Sequence, residues 1–91
     1  MKTPRFTITG KISHITKHDD GYFMLLVHKT KNGEYFTYPA KYKGELPLMI
    51  EKELKKLPVI YAEGKILSVE EDGLLGMRLY INSFHVLKAL S

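Results

Sequence analysis

A single change of period constrains this chain most. Leu46, Ile50, Leu54 and Leu57 fall at spacings of 4, 4 and 3, the stripe of a short amphipathic helix, and Glu51, Lys52, Glu53, Lys55 and Lys56 lie mostly off that stripe. Pro47 suits a first helical turn and Pro58 stops the segment, so the spacing predicts a helix over about 47–57. Elsewhere the pattern is that of strands. Phe6, Ile8 and Ile12 share one parity and Thr7, Thr9, Lys11 and Ser13 the other, with Gly10 where a bend or bulge is tolerated. Residues 22–28 run almost continuously apolar between the turn-forming His18-Asp19-Asp20-Gly21 and the Asn32-Gly33 hairpin signal. Residues 34–40 form a third strand, which Pro39 confines to an edge or bulge. Residues 59–67 read as a fourth strand, 68–76 as an acidic, glycine-containing hairpin loop, and 77–87 as a fifth.

The predicted order is thus β-β-β-α-β-β. A mostly β chain of five strands with one helix between the third and fourth has the element order of the OB-fold, a partly open Greek-key barrel whose usual ligands are oligonucleotides and oligosaccharides. Ninety-one residues are expected to make one such domain, 1–91, with a small core.

Composition removes several function classes. The chain has no cysteine, which excludes disulfide scaffolds, thiolate metal sites and cysteine nucleophiles. No apolar run approaches the roughly 18 residues of a membrane span, and the basic start runs into alternating Thr and Ile rather than a signal-peptide core, so no membrane association and a cytoplasmic location are expected. His14, His18, His28 and His85 form no metal-ligand pattern, and no phosphate loop, nucleophile elbow or acid–base pair is visible. The protein is expected to be no enzyme and to need no cofactor or metal.

Charge points toward an anionic partner. The net charge is +4, but residues 1–43 carry eight basic side chains (Lys2, Arg5, Lys11, Lys17, Lys29, Lys31, Lys41, Lys43) against three acidic ones, and the remainder is slightly acidic. Nucleic acid is the commonest such partner for a small basic domain.

Several segments resemble the bacterial and phage single-stranded DNA-binding proteins. Leu54-Lys55-Lys56-Leu57-Pro58-Val59-Ile60-Tyr61-Ala62-Glu63-Gly64-Lys65-Ile66 is similar, without a gap, to the family's helix end and fourth strand, L-K-K-G-D-x-V-Y-V-E-G-R-L. Ile8-Thr9-Gly10-Lys11-Ile12 resembles its first-strand I-G-R-L, residues 23–27 its F-S-L-A-V and residues 82–87 its final D-x-V-Q-F-L. The resemblance implies an OB-fold that binds single-stranded DNA with little sequence preference in replication, recombination or transfer, as a dimer or tetramer. The family's acidic C-terminal tail has no counterpart, so recruitment of partners through such a tip is not expected, and a compact phage or mobile-element version fits.

Single strands are held by stacking bases on aromatic faces while cations follow the phosphates. With Phe36, Tyr38 and Ala40 pointing into the barrel, Tyr35 and Thr37 point out. The resemblance places Tyr35 where the family commonly has a stacking Trp and Tyr42, flanked by Lys41 and Lys43, at a second stacking position. Lys11 falls where the family has Arg, and Lys29 and Lys31 sit at the second hairpin. On strand two Phe23, Leu25 and Val27 are assigned to the core. Tyr22, Met24 and Leu26 then form an outer apolar face, where Tyr22 stacks a base, or Met24 and Leu26 meet another subunit or the barrel's own loop. Phe6, Phe36 and Phe84 have core parity, the place of Tyr61 inside the segment that resembles the family's fourth strand implies a core position, and Tyr80 is open between surface and interface. The rival reading is an accessory subunit that docks on a polymerase, primase or helicase through that outer face of strand two.

Overall fold

A computed structural model describes residues 4–87, except for the side chain of Glu71; Lys2, one of the eight cations of the first half, lies outside the described residues. The elements are β1 (Arg5–His18), β2 (Gly21–Lys29), β3 (Tyr35–Lys43), α1 (Leu48–Lys55), β4 (Val59–Glu71) and β5 (Leu74–Leu87). They close into a barrel of order β1-β2-β3-β5-β4, every pairing antiparallel except β3 with β5. This is the OB-fold that the element order predicts.

Closure depends on β1 serving two neighbours. Its first half, through Lys11, pairs with β4 and its second half pairs with β2. Gly10 is buried just before the handover, where an added Cβ would sit 3.0 Å from the Val27 carbonyl oxygen, and a bulge beside Ser13 lets the strand bend. Pro39 lies just before the short stretch, Ala40 to Tyr42, over which β3 pairs with β5, so its missing amide leaves that ladder intact.

The helix is shorter than its apolar spacing implies. Pro47 is the N-cap, and after Lys55 the backbone turns with Leu57 at φ 54°, its N–H donating to the Leu54 carbonyl at 3.0 Å before Pro58 starts the return. Leu54 is fully buried and Leu46, Ile50 and Leu57 pack beside it, so the helical stripe plugs one end of the barrel.

The core comprises Ile12, Tyr22, Met24, Leu26, Ala40, Leu54, Ile60, Ala62, Leu79 and Ile81. It reverses the expected phase of strand two: Tyr22, Met24 and Leu26 point in, and Phe23, Leu25 and Val27 are half-buried on the outside. The reason lies in the hairpin. A two-residue turn centred on Asn32-Gly33 would set Leu25 opposite Ala40. Instead Thr30 and Glu34 close a three-residue loop, with the Thr30 N–H donating to the Glu34 carbonyl at 2.8 Å and Gly33 at φ 84°, so Met24 faces Ala40. A one-residue slip exchanges the two faces of a strand.

Two further core assignments are corrected. Tyr61 is outward and 37% exposed, because Ile60, Ala62 and Gly64 take the inward positions of β4; Phe36 is 45% exposed, because its stretch of β3 extends past the β5 pairing. Phe6 and Phe84 do pack against the core. The predicted loop over 68–76 is a ribbon: β4 and β5 stay paired to Glu71 opposite Leu74, and Asp72 and Gly73, at φ 52° and 78°, make the turn.

Candidate nucleic-acid interface

Residues paired across a ladder share a face, so the register sorts the candidates. Across the barrel's outer surface run Lys11–Val27–Thr37, Lys29–Tyr35, Leu25–Pro39, and the row Phe23–Lys41–Tyr80–Lys65, with Arg78 beside it opposite Leu67. Of the residues singled out from the sequence, Tyr35, Thr37, Lys11, Lys29, Lys41 and Lys43 therefore lie on one continuous face, and Lys31 is exposed in the turn at its end.

Tyr35 is the most accessible aromatic side chain of that face, at 65% exposure. The Lys29 ammonium lies 5.6 Å from its ring centroid, a cation–π distance that holds one side of the ring while the other stays open. An open groove of about 480 Å³, bordered by Lys11, Val27, Lys29, Tyr35 and Val59, runs beside it. Two of the cations have structural partners. Lys11 Nζ donates to the Leu57 carbonyl at 2.6 Å, satisfying backbone just past the helix end. Lys41 Nζ pairs with Asp20 at 2.9 Å, and that hydrogen bond and charge hold the Asp20 carboxyl below its usual range.

Tyr22 and Tyr42 are elsewhere. Tyr22 is only 2% exposed, and its hydroxyl donates to Glu51 Oε2 at 2.6 Å, the same oxygen that Lys17 Nζ reaches at 3.1 Å. The two donors, Tyr22 first, hold the Glu51 carboxylate low; Glu51 in turn raises the Tyr22 hydroxyl and the Lys17 ammonium. The expectation that Tyr22 stacks a base is corrected, since its ring belongs to the core and its hydroxyl ties α1 to the barrel. Tyr42 has the inward parity of Ala40 and packs against the core, its ring 6.4 Å from that of Tyr22 and edge-on to Phe84 at 5.4 Å.

Several residues of the face went unrecognised in the sequence. Phe23, Leu25 and Val27 form its half-buried apolar floor; Lys65, Arg78 and Tyr80 extend it onto β4 and β5, with the Arg78 guanidinium 5.8 Å from the Phe23 ring centroid. The available signal was a strand apolar on both faces, which requires a purpose for the second one. Among the described residues no group of three His, Asp or Glu side chains comes together as a metal site, and no helix is long and apolar enough to cross a membrane.

The barrel and its pairing order place the chain in the OB-fold class, and comparison with solved structures narrows the likeness. The small single-stranded DNA-binding protein of Mycoplasma pneumoniae superposes with a TM-score of 0.70 at 20% identity, over 100% of this chain and 99% of that one. The mitochondrial single-stranded DNA-binding protein Rim1 of S. cerevisiae gives 0.69 at 19% identity, over 97% of this chain and 98% of that one. The chain shares their fold end to end, which bears out at the level of fold the resemblance read from the sequence. No family profile and no curated protein sequence matches it.

Proposed function

We propose that this protein binds single-stranded DNA, with little sequence preference, across the outer face of β2, β3 and β5. The observation that carries the reading is the gathering of Tyr35, Lys11, Lys29, Lys41, Lys43, Lys65 and Arg78 around one half-buried apolar floor on an OB-fold barrel. The open side of Tyr35 and the floor of Phe23 and Leu25 receive bases, and the cations follow the phosphates. No redox or proton-transfer step is involved, so the activity is binding. The work this serves is the protection of exposed strands during replication, recombination or transfer, in the compartment where that DNA lies.

Titrating labelled poly-dT and an equal length of duplex over a series of salt concentrations tests this. Single strands should be preferred, and log affinity should fall against log salt by about 0.7 for each phosphate contact. Equal affinity for duplex, or a flat salt response, would sink the reading.

The docking alternative loses the surface it was based on, because Tyr22, Met24 and Leu26 are buried. The same burial removes the strand-two basis for a dimer or tetramer. A closed oligomer now rests on the outer face of β1, β4 and β5, where Val59 (40%), Tyr61 (37%) and Leu87 (41%) are exposed together. Light scattering that returns a monomer at high micromolar concentration would remove it.

A further inference from the structure

Lys41 stands at the centre of the proposed face, in the row Phe23–Lys41–Tyr80–Lys65, yet its ammonium already has a partner. Asp20 Oδ2 lies 2.9 Å from Lys41 Nζ, and the two side chains are 52% and 27% exposed, so a polyanion lying on the face reaches the pair. Asp20 comes from the two-residue turn Asp19-Asp20 between the paired residues His18 and Gly21. That turn is fixed against the end of β3. The Gly44 N–H donates to the Asp20 carbonyl at 2.9 Å, and Gly21, paired with Lys43, packs so closely that an added Cβ would collide with the Tyr42 carbonyl oxygen. An anchored carboxylate therefore presents anionic oxygen to Lys41 as a phosphate does, and the ammonium cannot pair fully with both.

We propose that Asp20 is a built-in competitor of the DNA backbone for Lys41: it occupies the ammonium in the free protein, and strand binding exchanges it for a phosphate. The inference rests on the proposed DNA reading and adds a restraint to it. The exchange leaves Lys41 over the apolar floor, already in place, but the contact gains only the difference between two ion pairs. A lone anion that meets Lys41 alone has little to gain by displacing Asp20. A strand that also stacks on Tyr35 and pairs with Lys29 drives the exchange through its other contacts, so the face holds polymer in preference to free nucleotides and releases it more readily than its cations alone would allow.

A double-mutant cycle tests the exchange. Affinity for poly-dT is measured at low salt for the parent, Asp20→Asn, Lys41→Ala and the double variant, with thermal melts to show each protein folded; Asn suits the same turn. Asp20→Asn should tighten binding in both backgrounds, since it removes a negative charge, but by about two- to fivefold more where Lys41 is present, the scale of an exposed ion pair. Lys41→Ala should accordingly weaken binding more in the Asp20→Asn protein than in the parent. Asp19 is the control, an exposed neighbour with no ion pair among the described residues. Asp19→Asn removes the same charge and should change affinity equally with and without Lys41. An equal effect of Asp20→Asn in the two backgrounds, with Lys41→Ala still weakening binding, overturns the exchange. Weaker binding by Asp20→Asn overturns it too, because the carboxylate would then be positioning Lys41 for the strand. A parent protein with no preference for poly-dT over duplex would instead count against the DNA reading itself.

Discussion

Tyr35→Ala is the most direct probe of the proposed face. The ring is 65% exposed and contributes nothing to the core, so the variant should keep its stability within about 0.5 kcal/mol, the usual limit for surface changes. That is a shift of melting temperature below roughly 4 °C for a domain of this size. Removing one stacked base should cost about 1–3 kcal/mol of binding, or roughly 5- to 150-fold in affinity for poly-dT. Tyr35→Phe should bind nearly as well as the parent, because the ring does the stacking. Lys29, 5.6 Å from the ring centroid, separates ring from charge: Lys29→Ala should flatten the salt dependence by about 0.7, whereas Tyr35→Ala should weaken binding at every salt concentration with the slope unchanged. Fluorescence titration at several salt concentrations, with thermal melts of each variant, measures all of this. A Tyr35→Ala protein that binds like the parent, or one that melts much earlier, would refute the placement of the interface.

The phase of strand two predicts that Leu26→Ala costs about 2–5 kcal/mol of stability and Leu25→Ala much less, read by urea unfolding; equal costs would mean the hairpin register is wrong. Glu51 is held low by Tyr22 and Lys17, so the stability it contributes is complete above its ordinary carboxylate range and disappears as the pH falls through its lowered folded value. Melts through the acid range should show Glu51→Gln losing less stability on acidification than the parent, and parallel curves would contradict the clamp. Gly33, at φ 84° with open space where a methyl group would sit, should lose about 1–2 kcal/mol as Gly33→Ala through backbone strain alone; an unchanged unfolding midpoint would mean the loop does not hold that conformation.

Most of the fold was legible because each element has its own local period. The stripe from Leu46 to Leu57 marks the helix, although only Leu48–Lys55 is helical, and Asn32-Gly33 marks a real turn. What local pattern could not supply was register. Asn-Gly admits either a two-residue turn or a three-residue loop with glycine in the left-handed position, and the two choices differ by one residue. In β1 the choice has little ambiguity, because Thr and Lys alternate with Ile. In β2 both faces are apolar from Tyr22 to Val27, so nothing in the strand itself selects a side, and the error spread to every assignment that depended on it. Tyr22 was set outside by the same slip, whereas Tyr35 and Thr37 do face outward, as expected from setting Phe36, Tyr38 and Ala40 inward, although Phe36 itself is exposed.

The same register explains why a strand with two apolar faces belongs in a barrel of this kind. Met24 and Leu26 are the core's share of β2, and their burial fixes the strand. Phe23, Leu25 and Val27 are then held on the other side in a rigid, fully paired ladder, flanked by β1 and β3. A ligand that meets this floor orders few side chains, since the backbone beneath it is already fixed and Lys41 is already held by Asp20. The exposed cations Lys31 and Lys43 sit at the ends of the strands rather than at their centre. An apolar floor with cations around it suits a polymer whose bases need a defined surface and whose phosphates need only proximity, and it fits the proposed lack of sequence preference, since such a floor offers no hydrogen bonds with which to tell one base from another.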